Sequence, residues 1–151
     1  MTSSRTVADN VDTFDGLFHV LKEVRSNCFR GSYLHSFISS IARSRVEASG
    51  FAESGTESFG PFGTISLPFE EMGAITSLDL FGLDELILFS LYHDSQERYR
   101  TFADLGANLG LHTILGAILG WSVTSFEPDP ETFEQLKENC RRNRVRAQLE
   151  N

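Results

Sequence analysis

Apolar residues recur at helical spacing in two segments of the N-terminal part of the chain. The first spans residues 13–27 and predicts an amphipathic helix, with apolar positions Phe14, Leu17, Phe18, Leu21 and Val24. The second follows Gly31 and fades near Val46, with apolar positions Tyr33, Leu34, Phe37, Ile38 and Ile41. We interpret both apolar faces as core packing, with a groove for a partner as the alternative.

The segments around these two helices have other patterns. Residues 1–12 are polar and are expected to be frayed, and residues 49–63 are rich in Gly, Ser and Glu, which predicts a loop or linker. Apolar and polar residues alternate over 64–69, which predicts a short edge strand. Asp79 or Asp84 is placed to cap a helix that the following apolar run predicts.

From Tyr99 onward the pattern changes to strand, helix, strand, helix. The predicted elements are a strand over 99–104, a helix from Asn108 or Leu109 to Gly120, a strand over 122–127 and a helix after Asp129. Asp129 is a suitable N-cap, Pro130 suits the first helical position, and Asn143 suits the C-cap. This order predicts an α/β fold that begins a parallel sheet, preceded by an N-terminal helical region.

Composition and charge narrow the classes of function. The 151 residues are 40% hydrophobic and 23% charged, which is typical of one soluble globular domain with a sizeable core. We divide it into a helical region with its linker (1–63), a lead-in strand and helix (64–98), and the parallel α/β part (99–151). The net charge of −8 disfavours binding to the phosphates of nucleic acids.

The sequence carries no targeting or metal-binding pattern. The N-terminus lacks the apolar run of a signal peptide, and no apolar stretch approaches the roughly 20 residues of a membrane span. Cys28 and Cys140 lie far apart and, like the four His residues, fit no metal-ligand spacing. We therefore expect a cytoplasmic protein with no metal and no membrane span.

Candidate chemistry is concentrated at the ends of the two strands predicted after Tyr99. Gly106 allows the backbone to turn sharply after the first strand, and Gly110 allows close helix packing or the close approach of a ligand. The next helix begins there and offers unpaired N–H groups. Asp104 ends the first strand and Glu127 ends the second, at the edge where open parallel sheets bind ligands.

Three interpretations compete for the loop after the first strand. A phosphate-binding P-loop is excluded, because only three residues separate Gly106 from Gly110 and Leu111-His112 follows. A dinucleotide-binding turn is disfavoured, because Asn108 stands where a glycine would let a pyrophosphate approach. An acidic residue two positions before the first glycine suits a cationic ligand such as S-adenosylmethionine, which carries an ammonium and a sulfonium.

The stretch 102–143 resembles the first half of the cofactor-binding domain of the FkbM-type methyltransferases, a class I family with a Rossmann-like fold. The first motif of that family is matched without a gap by Asp104, Gly106, Ala107, Asn108 and Gly110. The second, a Glu-Pro-Asp-Pro run before a helix, is matched by Glu127, Pro128, Asp129, Pro130, Phe133, Leu136 and Asn143. Residues 72–84 resemble the approach helix of some members. The resemblance implies that the parallel sheet is the start of a Rossmann-like fold.

The resemblance also implies roles for single residues. Asp104 would hold the ammonium of S-adenosylmethionine, directly or through water. Glu127 would accept hydrogen bonds from both ribose hydroxyls, and Pro128 would keep it extended at the strand end. The methionine part would be cradled by the loop that contains Gly106, Ala107, Asn108 and Gly110.

Members of the family are O-methyltransferases, so the resemblance implies methylation of a hydroxyl on a sugar, a glycan or a natural product. The transfer needs alignment and a base, but the sequence identifies no base, and we interpret His112 as a surface or core residue. Each further βα unit takes roughly 30 residues, so we expect a truncated sheet with an exposed strand edge. Activity would then require a second copy or a complementing C-terminal half. The alternatives are a non-catalytic remnant or interaction module, and an NAD(P)-binding protein.

Overall fold

The computed structural model describes residues 13–151, so the prediction for residues 1–12 lies outside the described part. The helices are α1 (Phe14–Val24), α2 (Tyr33–Glu47), α3 (Gly50–Glu53), α4 (Leu83–Asp94), α5 (Leu111–Ile118) and α6 (Pro130–Arg142). The strands are β1 (Thr56–Ser58), β2 (Thr64–Ser66), β3 (Glu71–Met72), β4 (Ile75–Thr76), β5 (Thr101–Leu105), β6 (Ser122–Phe126) and β7 (Gln148–Glu150). Short 3-10 helices lie at Arg25–Asn27, Gly60–Phe62 and Ser77–Phe81. The architecture is mixed α/β, as predicted, and it includes a parallel sheet.

The two N-terminal helices form where the hydrophobic pattern predicts them. Thr13 caps α1 by accepting a hydrogen bond from the N–H of Gly16 at 3.1 Å, and the predicted apolar face of α1 is buried. Helix α2 differs in detail, because it buries the row Ile38, Ala42 and Val46. The aromatic residues of its predicted stripe, Tyr33 and Phe37, are exposed. The predicted stripe covered two neighbouring rows of residues on the helix surface. Because Ala42 is small, it adds little hydrophobic signal, and the sequence did not show which row faces the core.

A cluster of phenylalanine rings forms the centre of the N-terminal part. Residues 49–63 were predicted as a loop or linker, but Phe51, Phe59 and Phe62 of this segment are buried. The rings of Phe51 and Phe81 stack with their centroids 4.3 Å apart, and Phe59 packs edge-on against Phe14 at 4.8 Å. The Gly and Ser residues indicate irregular backbone correctly, whereas the aromatic residues between them attach that backbone to the core.

The lead-in region joins this cluster to the parallel sheet. Strand β2 forms where it was predicted and pairs antiparallel with β1. The side chain of Asn143, at the end of α6, accepts a hydrogen bond from the N–H of Ser66 at 2.8 Å and donates one to its carbonyl at 2.6 Å. These two bonds connect residues 77 positions apart in the sequence.

The predicted cap of α4 is wrong in both of its versions. Asp79 caps the preceding 3-10 helix, where it forms a capping box with Thr76. Asp84 lies in the first turn of α4 and binds Arg30 and His35 of the α1–α2 region. The N-cap residue of α4 is Gly82, which has no side chain to accept a hydrogen bond.

The parallel sheet has the order β5-β6-β7, with both strand pairs parallel. Burial alternates along β6, where Val123 and Ser125 are buried, so one face of the sheet is covered by the core. The other face is open, and on it Leu105 is 78% exposed and Phe126 41% exposed. The outer edge of β5 pairs with no strand of the described chain. The outer edge of β5 therefore agrees with the expectation of a strand edge without a partner strand in the described chain.

Local capping signals position the helices that follow the strands. Asp129 caps α6 by accepting a hydrogen bond from the N–H of Thr132 at 2.8 Å, and Pro130 is its first residue, as predicted. Asn143 is the C-cap, also as predicted. Helix α5 begins at Leu111, later than predicted, because Gly110 adopts a left-handed conformation as its N-cap. No helix in residues 13–151 is both long and apolar enough to cross a bilayer.

Candidate functional site

The predicted site residues meet at the carboxyl edge of the parallel sheet. Because β5 and β6 are parallel neighbours, the loop after β5 and the turn after β6 leave the sheet side by side. The Oε2 atom of Glu127 accepts a hydrogen bond from the N–H of Asn108 at 2.7 Å. Its Oε1 atom accepts one from the N–H of Asp129 at 2.9 Å. Glu127 is buried, with only 7% of its surface exposed. Its two hydrogen bonds join the loop after β5 to the turn after β6.

The loop after β5 is folded over the end of β6. The N–H groups of Gly106 and Ala107 both donate to the carbonyl of Phe126, at 2.8 and 3.0 Å. With Asn108 bound to Glu127, three successive N–H groups of this loop are already used. A ligand here would contact the backbone of the loop rather than receive hydrogen bonds from these groups.

Three residues of the loop have positive φ angles. Gly106 has φ +76° and Gly110 has φ +87°, which glycine adopts without strain. Asn108 has φ +50°, and asparagine is one of the few other residues that tolerate this region. The asparagine therefore supplies the left-handed backbone position that the loop requires, while it adds a polar side chain.

The two glycines of the loop have different surroundings. A Cβ atom at Gly110 would overlap the side chain of Leu136, so Gly110 is required for the close packing of α5 against α6. A Cβ atom at Gly106 would meet no atom within 4 Å. The open space beside the loop is therefore at Gly106. Of the other predicted site residues, Ala107 is buried beneath the loop and Pro128 is exposed at the turn.

Asp104 lies at the covered face of β5 and is 9% exposed. Its Oδ2 atom lies 2.6 Å from the hydroxyl of Thr113, and that hydroxyl lies 2.7 Å from the hydroxyl of Ser125. The Oδ1 atom accepts no hydrogen bond from any residue in the range 13–151. Within residues 13–151, one oxygen of Asp104 thus accepts a hydrogen bond and the other has no donor.

The charge of Asp104 is felt by two neighbouring groups. Burial first, and then the negative charge of Asp104, raise the pKa of the Cys140 thiol to about 11. The same two causes, with a smaller contribution from Glu85, raise the pKa of Tyr92 to about 12. At neutral pH the thiol and the phenol both keep their protons, so neither adds a second negative charge beside Asp104.

The ring of His112 lies between a phenol and a carboxylate. Its Nδ1 atom lies 3.1 Å from the hydroxyl of Tyr92, which stays protonated and can donate to it. Its Nε2 atom lies 3.2 Å from Oε2 of Glu85, an ion-pair distance at an angle that makes no hydrogen bond. These two contacts connect α5 to α4 through His112.

Residues that the sequence analysis missed support this site from below. Thr113 and Ser125 are both fully buried, and the side-chain amide of Asn139 donates to the carbonyl of Leu109 at 2.9 Å. The sequence did contain a sign of these residues, because they are polar at positions where the helical and strand patterns require apolar residues. It indicates burial of a polar network and does not by itself identify the partner.

Residues 13–151 hold two clefts that lie away from this edge of the sheet, and they hold no cluster of metal ligands. Residues 13–151 contain no group of three or more His, Cys, Asp or Glu side chains that could hold a metal ion. One cleft of about 310 Å³ lies between α2 and the N-terminus of α4, where it is lined by Arg43 and Asp79. Another, of about 350 Å³, lies beside Trp121 at the opposite end of β5. Neither cleft includes a residue of the loop after β5.

The chain was also compared with family models, with curated proteins and with solved structures, and none of the three comparisons produced a match.

Proposed function

We propose that the chain binds S-adenosylmethionine at the carboxyl edge of β5 and β6, as part of an O-methyltransferase. The observation that supports this proposal best is the hydrogen bond from the N–H of Asn108 to Glu127. This bond joins the loop that is expected to hold the methionine part to the carboxylate that is expected to hold the ribose. The parallel order β5-β6-β7 is also what the start of a Rossmann-like sheet requires.

The carboxylate of Glu127 retains the capacity to bind a ribose. Each of its oxygens accepts one backbone hydrogen bond, and a carboxylate oxygen has a second lone pair. The two backbone bonds hold the carboxylate in one orientation, so little conformational entropy would be lost when a diol binds. Glu127 would therefore accept one hydrogen bond from each ribose hydroxyl without leaving its loop.

This edge of the sheet offers a negative group for the ammonium of the cofactor and N–H donors for its carboxylate. Asp104 offers a negative charge for the ammonium and has one oxygen free of donors in the described chain. Helix α5 starts directly after the loop, and its first N–H groups, at Leu111 and His112, have no acceptor in the described chain. These groups suit the carboxylate of the methionine part. Gly106 provides the open backbone between them.

The reaction proposed for the complete enzyme is an in-line displacement. A lone pair of the acceptor hydroxyl forms the new C–O bond to the methyl carbon, and the S–CH3 bond breaks. Its electron pair moves to sulfur, which gives S-adenosylhomocysteine, and the hydroxyl proton passes to a base. The acceptor class, a sugar, glycan or natural-product hydroxyl, rests on the resemblance alone. No base is assigned for the hydroxyl proton.

A second copy or a complementing half of the fold is proposed to complete the site. The support is the edge of β5, which pairs with no strand in residues 13–151, and the open face of the sheet, where Leu105 is 78% exposed. Parallel sheets are usually covered on both faces. A further parallel strand at this edge would also bring new loops to the carboxyl edge, beside Asp104.

Calorimetric titration with S-adenosylhomocysteine tests the binding proposal. We expect saturable binding by the folded protein, and binding weakened at least tenfold in Glu127→Gln, since one acceptor is lost. Glu97→Gln removes the same charge at an exposed position remote from the loop and is the matched control. Binding of NAD instead would support the dinucleotide alternative. A folded sample that binds neither ligand would support a non-catalytic interaction module.

A further inference from the structure

Two buried hydroxyl groups form a chain of hydrogen bonds that ends on Asp104. Thr113 of α5 and Ser125 of β6 both have no exposed surface, and Ser125 is the direct register partner of Asp104. Ile114 and Leu115, which follow Thr113 in α5, are also fully buried. Burial of a hydroxyl is unfavourable unless it is hydrogen-bonded, so a valine and an alanine would be the simpler choice for packing. The hydroxyls are hydrogen-bonded to each other and to Asp104.

Counting protons fixes the direction of this chain of hydrogen bonds. A carboxylate can only accept, so the single hydroxyl proton of Thr113 is donated to Oδ2 of Asp104. The Thr113 oxygen then accepts the proton of Ser125 across the 2.7 Å contact. Both donors therefore point toward Asp104, and hydrogen bonds aligned in one direction reinforce each other. The chain fixes the rotation of the Asp104 side chain and leaves Oδ1 for another donor.

We propose that Thr113 and Ser125 are positioning residues that hold Asp104 for the ammonium group of the ligand. The proposal rests on the proposed binding of S-adenosylmethionine and adds the origin of its selectivity. Asp104 is more than nine-tenths buried, and its Oδ1 atom has no donor in residues 13–151. The Oδ1 atom is not among the fully buried unpaired atoms, so it is open to a donor from outside, and a largely buried carboxylate favours a donor that carries a positive charge. The site therefore selects nucleosides that carry an ammonium over those that lack one.

Three ligands separate this role from a purely structural one. S-adenosylhomocysteine has the ammonium and the carboxylate, its decarboxylated analogue keeps only the ammonium, and methylthioadenosine has neither. In Thr113→Val, which keeps the shape but removes the donor, we expect the affinity for the first two ligands to fall about tenfold. The affinity for methylthioadenosine should stay within twofold of wild type. Thr113→Ser keeps the hydroxyl and should show wild-type affinity for the two ammonium ligands, again with methylthioadenosine unchanged.

The outcomes of this experiment are distinct. Equal losses for all three ligands in Thr113→Val would show a structural role only and overturn the proposal, as would unchanged affinity for the ammonium ligands. If Thr113→Val does not fold, Ser125→Ala provides the second variant, with the same ligand pattern at smaller size. Wild-type protein that binds none of the three would refute the proposed function itself, and this inference with it. Wild-type protein that binds all three equally would refute only the inference.

Discussion

The backbone N–H of Asn108 donates a hydrogen bond to Oε2 of Glu127 at 2.7 Å, and this bond joins the loop after β5 to the end of β6. The other oxygen of Glu127 holds the N–H of Asp129. One side chain thus organises both loops at the carboxyl edge of the sheet. Substitutions of Glu127 are therefore to be compared by stability as well as by ligand binding.

Glu127→Ala should lower the free energy of unfolding by about 1–3 kcal/mol, because two N–H groups lose a buried acceptor. Glu127→Gln keeps one acceptor oxygen and should lose less. Urea denaturation of both variants, with Glu97→Gln as the surface control, measures the difference. Equal stability of Glu127→Ala and wild type would show that the carboxylate does not hold the loops.

The left-handed conformation of Asn108 predicts an unusual order of stability at this position. Asn108→Ala should be less stable than Asn108→Gly by about 1 kcal/mol, since alanine is strained at φ +50° and glycine is not. Both variants keep the N–H that binds Glu127, so the comparison isolates the backbone angle. Denaturation midpoints would check it, and a more stable alanine variant would mean that the loop does not adopt this turn.

Asn143 connects the lead-in strand β2 to helix α6 through two hydrogen bonds to Ser66. Asn143→Ala should cost about 1–3 kcal/mol of stability, because the paired groups of Ser66 lose their partner. Gln135→Ala truncates an exposed amide of the same helix and should have little effect. If the two variants were equally stable, β2 would not depend on α6 for its position.

Tyr92 predicts a loss of stability at alkaline pH. Its pKa is raised to about 12 in the folded protein, against about 10 in the unfolded chain. Below pH 10 the phenol is protonated in both states and its contribution is constant. Between pH 10 and 12 the unfolded state binds fewer protons, so stability falls as the pH rises.

The phenylalanine variant of Tyr92 isolates this contribution. In urea denaturation across that alkaline range, wild type should lose stability more steeply with pH than Tyr92→Phe. The variant also lacks the hydroxyl that binds His112, so it should start from a lower stability at neutral pH. Parallel stability curves for the two proteins would contradict the burial of this hydroxyl.

Features with a local cause were predictable from the sequence. The caps Asp129 and Asn143, the strands β5 and β6, and the glycine turn at Gly106 each depend on residues a few positions away. They were enough to predict that Asp104 and Glu127 lie at one edge of a parallel sheet. The contact between Glu127 and Asn108 was not predicted, because its geometry depends on how the loop folds over β6.

Features with a tertiary cause could not be read from the pattern. Phe51 and Phe59 lie in a segment whose glycines and serines dominate the local signal, and only the assembled core shows them buried. The rotation of α2 depends on its neighbours, and the small Ala42 gives little hydrophobic signal. Thr113 and Ser125 are polar residues at apolar positions that the sequence pattern did not single out, and only the three-dimensional structure identifies Asp104 as their partner.

The most direct test of the central claim, that the loop after β5 and Glu127 form one S-adenosylmethionine site, is an amide NMR titration of isotope-labelled protein. We expect saturable shifts of the Gly106, Asn108 and Glu127 amides on addition of the cofactor, with the amides around Arg43 and Asp79 unchanged. Shifts confined to the cleft between α2 and α4, or no shifts at saturating cofactor, would contradict the claim.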